Sequence, residues 1–311
     1  MQYERKRDNL CDRIVEMNGT RLKNGARKFV AFCLRHMFLS GLVLGTLVLL
    51  VLPSCDKTEE LQGFLMSDGI VKGGGFLIGL EKNGQTNVLF VTCRHVLEDR
   101  MLLTGRNFLD GPSDGNAIFL NMRGAGFRYR KISNIEPSRW HLSGSRAEDV
   151  AWLELTESEC RSFAGEGRIP VVAWIGEAKG GFRAVNEIQM VYRLGVKPGE
   201  EVTTIKLMSA TDMLFPLSGV LPFPYFNLAL ANAYESTGIV EQLGFSTDVG
   251  SSDGSRICKR MHRIACSAHK NNSGSPVLYK GHVIGLIVAA NGPESAFQCL
   301  DPIFKHYGLS R

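Results

Sequence analysis

The segment NNSGSP, residues 271–276, places turn-forming residues around Ser273, directly before a run of strand-like apolar residues. Asn, Ser, Gly and Pro are the usual turn formers, so an ordinary turn is one interpretation. The other is a backbone bent tightly enough to present one hydroxyl and two N–H groups to a substrate. A turn needs no partner elsewhere in the chain, whereas a serine nucleophile needs a base and a group that orients the base. Other segments must therefore decide between the two.

A candidate base and a candidate orienting acid both stand at the ends of predicted strands. His95 ends the apolar strand VLFVTCRH, and Asp149 directly precedes the strand VAWLEL. That strand is too apolar for the surface, so we expect Asp149 to be partly buried, and a buried carboxylate needs a partner. The Nδ1–H group of His95 would be that partner. Taken singly, the histidine fits a half-exposed strand end and the aspartate fits a cap, but together with Ser273 they favour a catalytic set.

Three motifs in the order His, Asp, Ser resemble the chymotrypsin-fold serine proteases, in particular bacterial trypsin-like members without disulfides, such as the Do-like periplasmic proteases. They are FVTCRHV around His95, EDVAWLEL around Asp149 and NNSGSPVL around Ser273, with spacings of 54 and 124 residues. The segments GGGFLIG and GHVIGLIVA are similar to the early glycine-rich strand and to the hairpin after the serine. The resemblance covers about residues 65 to 292.

The resemblance implies a serine endopeptidase that hydrolyses a polypeptide substrate through an acyl-enzyme and needs no metal or organic cofactor. Ser273 would attack the carbonyl, His95 would move the proton and Asp149 would orient the imidazole. The backbone N–H groups of Asn271 and Ser273 would form the oxyanion hole. The family normally has Gly where this chain has Asn271, and Asn tolerates positive φ better than most residues. Val288 replaces a hydroxyl residue that helps to hold the aspartate in many members, so Asp149 must find another donor.

The same resemblance places the substrate-binding residues. Ser267 would lie at the base of the P1 pocket, and Ala289, Ala290 and Asn291 would form one wall. No acid stands at the base, so a preference for Lys or Arg is not expected. Small walls and a neutral floor favour an apolar P1 side chain, while His269 near the pocket leaves an acidic P1 as the alternative.

Cys258, His262, Cys266 and His269 are residue types that would suit zinc. On a helix, three of them would share one face. The resemblance instead places them on or beside the strand that leads into the serine loop, where residues four apart are separated by about 13 Å. We therefore expect no metal site there.

The rest of the sequence predicts an all-β protein. Short β-branched or aromatic runs are bounded by turn formers; they are GGGFLIGL, TNVLFVTC, DVAWLEL, IPVVAWI, EIQMVYRL, EVTTIKLM, SPVLYKG and HVIGLIVAA. We predict a chymotrypsin-like fold of two antiparallel six-stranded β-barrels, with the histidine and aspartate in 60–165 and the nucleophile, oxyanion loop and P1 pocket in 166–311. The Pro-, Gly- and Ser-rich segment 211–256 is expected to contain long loops, and DPIFKHYGL a short terminal helix.

Charge and hydropathy set residues 1–59 apart. Residues 1–36 hold nine Lys or Arg and four acids, which accounts for the whole net charge of +5 and leaves no excess charge for nucleic acid in the rest of the chain. The apolar run 38–52 is short for a bilayer span but suits the core of an export signal. It runs into Pro53, Ser54 and Cys55, which resembles the lipoprotein box of bacteria with Cys55 as the lipidated residue.

We therefore predict that 1–59 is a basic N-terminus, an export signal or anchor, and a linker. An uncleaved signal anchor is the alternative to lipidation of Cys55. In both cases the globular part is predicted to be exported from a bacterial cell and held at the membrane, in the periplasm or at the cell surface.

Two other functions stay open. The first is a membrane-tethered binding or chaperone-like protein that keeps the protease fold without turnover, which Asn271 makes possible. The second is esterase activity by the same three residues. The cysteines after Cys55 are five in number and lack framework-like spacing, so no disulfide scaffold is expected.

Overall fold

The computed structural model describes residues 62–67, 70–82, 85–100, 105–111, 116–121, 129–162, 169–175, 182–188, 191–209, 231–251, 254–266, 268 and 272–309. All of them belong to one compact unit, Pro53–Arg311. The predicted signal segment with Cys55 lies outside the described residues, and so do Ser267, His269 and Asn271. Within the described ranges, no helix has the length and apolar character needed to cross a bilayer.

Strands dominate the described part of the chain, which confirms the predicted all-β class. The strands are β1 Gln62–Ser67, β2 Ile70–Lys82, β3 Gln85–Cys93, β4 Ala117–Asn121, β5 Tyr129–Ser133, β6 Trp140–Leu142, β7 Val150–Glu154, β8 Ile169–Ile175, β9 Phe182–Ile188, β10 Glu201–Ser209, β11 Ala231–Ser251, β12 Gly254–Ala265, β13 Pro276–Tyr279, β14 His282–Asn291 and β15 Glu294–Gln298. The short helices are α1 Arg94–Glu98, α2 Glu157–Ser162 and α3 Asp301–His306, and a 3₁₀ turn, Pro137–Arg139, precedes β6. Helix α3 is the predicted terminal helix.

Six antiparallel strands in the carboxy-terminal half close into a ring. Hydrogen-bonded ladders join β10 to β11, β11 to β12, β12 to β15, β15 to β14, β14 to β13, and β13 back to β10. Its interior includes the buried side chains of Val240, Ile264 and Phe297. A closed ring leaves no free strand edge. This is the six-stranded arrangement predicted for the second barrel.

The amino-terminal half is an antiparallel ladder in the order β5-β4-β1-β2-β3-β7-β6. Strand β8 lies parallel to β2 and to β9, and β9 lies parallel to β14, so this pair links the two halves. The sequence predicted antiparallel pairs only, although IPVVAWI in β8 lacks the alternation typical of antiparallel strands with one wet face. The boundary at 165/166 stays a prediction.

Strands β3 and β7 are buried on both faces. Residues 88–93 are buried in β3, residues 150–153 are buried in β7, and the cluster around them contains Phe76, Phe90 and Trp152. Fully burying one large apolar side chain contributes about 1.5–3 kcal/mol. Because both strands are continuous apolar runs, functional polar groups occur only at their ends.

The hairpin predicted after Ser273 is confirmed. Strands β13 and β14 pair with Tyr279 opposite His282. Lys280 and Gly281 connect them with φ values of 47° and 80°. Two positive φ values are what a two-residue hairpin turn needs to match the strand twist.

One local prediction is wrong. EIQMVYRL was expected to be a strand, but β9 ends at Ile188 and residues 191–195 are turns. The Val196 N–H donates to the Val191 carbonyl at 3.3 Å, so the backbone closes on itself there, and Tyr192 is 67% exposed.

Long loops were expected in 211–256. Strand β11 occupies residues 231–251 of this segment and pairs with β12, while for residues 211–230, which lie outside the described part, the expectation stays a prediction. Many β11 side chains are exposed and polar. The ladders on its two edges hold this strand, so its sequence lacks the apolar alternation that indicates a strand.

Gly285 provides a test of the ring. A methyl group there would lie 2.4 Å from the Gln298 carbonyl oxygen and 2.8 Å from Phe297 Cδ2. We expect Gly285→Ala to lower the free energy of unfolding by about 1–3 kcal/mol through overpacking. Gly144→Ala, where a methyl group meets open space, should change it by less than about 0.5 kcal/mol. Urea denaturation measures both, and equal stability of the two variants would contradict the packing of β14 on β15.

Candidate active site

The carboxyl end of β3 carries His95 into the site. The strand ends at Cys93, and the five-residue helix α1 begins at Arg94, so His95 is its second residue. The Asp99 N–H donates to the His95 carbonyl at 2.8 Å and closes this turn. Only 8% of His95 is exposed. The imidazole is therefore held at the end of a rigid strand, where it is largely shielded from solvent.

Asp149 lies against His95 and is fully buried, with 0% exposure. Its Oδ2 lies 2.6 Å from His95 Nδ1, and its Oδ1 accepts the His95 backbone N–H at 2.8 Å. Two contacts to one residue fix the carboxylate relative to the ring. With Nδ1 donating to the carboxylate, Nε2 is the nitrogen left to accept a proton.

The backbone of Asp149 is held by a residue that the sequence analysis missed. The Asp149 N–H donates to Gln298 Oε1 at 2.5 Å, and Gln298 Nε2 donates to the carbonyls of Lys259 at 2.8 Å and Ala147 at 3.2 Å. Gln298 lies on β15 and is 3% exposed. A glutamine inside the apolar run SAFQCL was the available signal, since a buried amide is retained when its hydrogen bonds are filled.

Arg256 is a second residue that the sequence analysis missed. Its Nη2 lies 3.1 Å from Asp149 Oδ1, and 12% of its side chain is exposed. That Nη2 has no aligned hydrogen bond, so the contact is an ion pair by distance. On its other side, Nη1 donates to Glu98 Oε2 at 3.1 Å. The sequence analysis expected Asp149 to need a donor other than the hydroxyl that Val288 replaces, and its neighbour here is the Arg256 cation.

Opposing influences set the pKa of His95. Burial lowers it, but the charge and the hydrogen bond of Asp149 raise it, Asp99 raises it further, and Arg256 lowers it. The net result is a pKa above the ordinary value of 6.5. The fraction of His95 that is neutral, and can therefore accept a proton, increases as the pH rises through this raised pKa.

The serine turn is docked on β2. The Gly74 N–H donates to the Ser273 carbonyl at 2.7 Å, and Thr92 Oγ1 donates to the Gly74 carbonyl at 2.7 Å. On the other side, the Gly274 N–H donates to the Ile287 carbonyl at 2.7 Å. Since Thr92 belongs to β3, one glycine links the serine turn to the strand that carries the histidine.

Glycines make this close approach possible. Gly274 has a φ of 92°, and a methyl group on it would lie 2.1 Å from the Gly74 carbonyl oxygen. A methyl group on Gly73 would lie 2.6 Å from Val96 Cγ2 and 3.1 Å from the Ser273 carbonyl oxygen. The serine turn and helix α1 thus contact the same glycine.

The Ser273 hydroxyl donates to the Val288 carbonyl at 3.3 Å and is half-buried. The described hydrogen bonds include none between Ser273 and His95. Catalytic hydrogen bonds are often long or poorly aligned in free enzymes and tighten with substrate. The structure therefore joins His95 to Asp149 directly, and it docks the serine turn on the glycines of β2 that also contact helix α1.

The predicted pocket residues are only partly described. Ala289 and Ala290 lie on β14 opposite Ala296 and Ser295, and Asn291 ends the strand. Ala289 is half-buried and Ala290 is exposed. Their role as a pocket wall stays a prediction.

A cavity of about 450 Å³ lies elsewhere, and Gln298, His262, Val196, Leu243 and Pro302 are among its lining residues. The described lining includes neither the serine turn nor the predicted pocket wall.

Cys93 lies close to the pair of His95 and Asp149. Its Sγ donates to the Ile287 carbonyl at 3.0 Å, and its sulfur lies within 4.8 Å of the polar atoms of His95 and Asp149. Burial, with the charge of Asp149, raises the pKa of the Cys93 thiol well above its ordinary value. The neutral thiol is thus accounted for as a hydrogen-bond donor.

The cysteines and histidine considered for zinc lie along β12 and directly after it. Cys258 packs in the cluster of the amino-terminal half and Cys266 in that of the carboxy-terminal ring. His262 stacks on Phe297 with ring centroids 4.9 Å apart, and its Nε2 lies 3.3 Å from Cys299 Sγ. These residues have separate packing roles, and the described cysteines, including Cys160, are buried and form no disulfide with one another.

No protein-family model matches the chain. No curated protein sequence matches it either. Its fold resembles those of trypsin-like serine proteases among solved structures. The MamO protease domain from Magnetospirillum magneticum is 13% identical with a TM-score of 0.46, covering 80% of this chain and 96% of that chain.

Deg5 is 17% identical with a TM-score of 0.43, covering 81% of this chain and 90% of that chain. Nocardiopsis protease is 13% identical with a TM-score of 0.39, covering 80% of this chain and 96% of that chain. These likenesses are distant, so the function must be argued from the residues of this chain.

Burial of His262 makes the stability of the protein dependent on pH. Burial lowers the pKa of His262 to about 4, below its ordinary value, so the unfolded chain binds more protons between these two pH values. Its contribution to stability is therefore full above about pH 6.5 and is lost as the pH falls towards 4. At pH 5 this amounts to about 2 kcal/mol. Urea denaturation at pH 7.5 and at pH 5 gives the free energy of unfolding at each pH. The fall in that free energy between the two pH values should be smaller by about that amount in His262→Leu than in the wild type. The same fall in both proteins would contradict the buried, neutral imidazole.

Proposed function

We propose that the chain is a serine endopeptidase that hydrolyses peptide bonds through an acyl-enzyme, with His95, Asp149 and Ser273 as its catalytic residues. The observation that carries this proposal is the buried pair in which His95 Nδ1 lies 2.6 Å from Asp149 Oδ2. A fully buried carboxylate on an imidazole, beside a glycine-flanked serine, matches the chemical needs of a serine nucleophile.

Each residue has one role in the reaction. Ser273 Oγ attacks the peptide carbonyl carbon while His95 Nε2 takes the hydroxyl proton. The tetrahedral intermediate collapses, the C–N bond breaks, and the imidazolium gives that proton to the leaving amine. Water then attacks the acyl-enzyme with the same histidine as base, which releases the acid product and restores the serine. Asp149 keeps Nδ1 protonated and stabilises the imidazolium throughout.

The developing oxyanion needs backbone donors. Among the described residues, the Ser273 N–H makes no backbone hydrogen bond, and we propose that it donates to the substrate carbonyl oxygen. The second donor proposed is the N–H of Asn271, which rests on the sequence motif. Two such donors supply the electrostatic stabilisation that usually contributes most to acyl transfer.

One observation favours a second candidate function. The Ser273 hydroxyl donates to the Val288 carbonyl, not to the imidazole. A binding or chaperone-like protein that keeps the fold without turnover would tolerate that orientation. Hydrolysis requires Oγ to come within hydrogen-bond reach of Nε2, and the motion proposed for this is a χ1 rotation of Ser273 from one staggered well to another.

We also propose that the globular part is exported and held at the membrane by the segment before residue 60. The support is the basic stretch 1–36 followed by the apolar run 38–52 and Cys55. The substrate would then be a polypeptide outside the cytoplasm.

A fluorophosphonate probe tests the proposed nucleophile. We expect the wild-type protein to be labelled at Ser273, because attack of Oγ on phosphorus expels fluoride only when a base takes the proton. Ser273→Ala should abolish labelling, and His95→Ala should slow it by about 100-fold or more. Mass spectrometry of the labelled peptide identifies the site.

Ser275→Ala is the matched control, since this neighbouring serine is buried in the same loop. It should keep its label. A wild-type protein that stays unlabelled across pH 5–9 would contradict the endopeptidase and favour the binding protein.

A further inference from the structure

The geometry points to Arg256 as a positioning residue of the proposed catalytic site, which holds the Asp149 carboxylate and opposes protonation of His95. This inference rests on the proposed function and extends it to a residue that the sequence motifs do not mark. Arg256 acts through the carboxylate and does not touch the reacting atoms.

The first support is that the Arg256 guanidinium contacts two carboxylates, those of Asp149 and Glu98. Nη2 lies 3.1 Å from Asp149 Oδ1, the same oxygen that accepts the His95 backbone N–H. Nη1 donates to Glu98 Oε2 at 3.1 Å. A cation with 12% of its side chain exposed needs carboxylate partners to offset the loss of water, and Arg256 has two of them. The guanidinium therefore bridges Asp149 to helix α1.

Glu98 is itself fixed. It lies at the end of α1, where Arg94 Nε donates to Glu98 Oε1 at 2.7 Å across one helical turn. Arg94 Nη1 also donates to the Ser143 carbonyl at 3.0 Å. The helix that carries His95 is thus tied through Glu98 to the cation that contacts Asp149.

The second support is how Arg256 reaches the site. It lies near the distal end of the β11–β12 hairpin, opposite Val249. Val249 and Cys258 are buried in a hydrophobic cluster that also contains Phe90, Val150 and Trp152 of the amino-terminal half. The hairpin end therefore packs on that half and is not a free arm, which fixes the position of the guanidinium.

The third support is the charge balance around the imidazole. Asp149 and Asp99 favour its protonated form, and Arg256 disfavours it. The thiols of Cys93 and Cys258 also lie near this group, and burial raises the pKa of each, so both are neutral. Among the described residues, the other charged groups are Glu98, which pairs with both Arg94 and Arg256, Arg94 itself, and Asp248 near Cys258. Arg256 is the cation that limits how strongly the two aspartates hold a proton on His95.

Arg256→Met tests this role, because it keeps the length of the side chain and removes its charge. We expect the midpoint of the acid limb of the fluorophosphonate labelling rate to move to higher pH by about one unit. The rate at the plateau should fall by about tenfold, since the carboxylate loses a contact. Arg256→Lys keeps the charge and should leave the midpoint within a few tenths of the wild-type value.

Glu98→Gln moves the midpoint in the opposite direction and still tests the inference if Arg256→Met fails to fold. Removing this anion strengthens the net positive field near Asp149, so the midpoint should fall. The matched control is Arg263→Met, a cation on the same strand with 40% of its side chain exposed and a 3.5 Å contact to Glu294. It should leave the midpoint unchanged.

A purely structural role for Arg256 would lower rates and stability without moving the midpoint. Unchanged midpoints in both Arg256→Met and Glu98→Gln would overturn the inference while leaving the endopeptidase intact. If the wild-type protein is not labelled at all, the proposed function fails, and NMR titration of the His95 Cε1–H signal tests the inference alone. An upward shift of that titration in Arg256→Met supports it, and no shift overturns it.

Discussion

The fully buried carboxylate of Asp149 is the constraint on which the rest of the site depends. Removing one ion from water costs several kcal/mol, so such a group stays ionised only when interactions with its surroundings offset that cost. Here these interactions are with the imidazole and the backbone N–H of His95 and with the guanidinium of Arg256. Gln298 accepts the N–H of the aspartate itself. Every oxygen of the carboxylate thus has a named partner.

Those partners come from both halves of the protein. His95 and Asp149 lie at the ends of apolar strands in the amino-terminal ladder, whereas Arg256 and Gln298 lie on β12 and β15 of the carboxy-terminal ring. Ser273 also belongs to the carboxy-terminal half and reaches the ladder through Gly74. The site therefore exists only when the ladder and the ring are packed together, which couples its electrostatics to the hydrophobic cores.

The sequence predicted the parts of this arrangement that have a local signature. Four such features can be recognised in the sequence: the apolar strand ending in His95, the aspartate before VAWLEL, the serine among turn formers and the hairpin after the serine. Arg256 and Gln298 cannot, because Asp149, which both contact, is more than 100 residues away and one arginine in a polar hairpin resembles any surface cation. The same polar composition concealed β11, whose ladders hold it more than its side chains do.

The central claim is that His95, Asp149 and Ser273 act together on a substrate. Its most direct test is a crystal structure of the protein after reaction with a phosphonate inhibitor. The account predicts phosphorus bonded to Ser273 Oγ, His95 Nε2 within about 3 Å of that oxygen or of a phosphonyl oxygen, and Nδ1 still on Asp149. Phosphorus on another residue, or an imidazole turned away from Ser273, would contradict it.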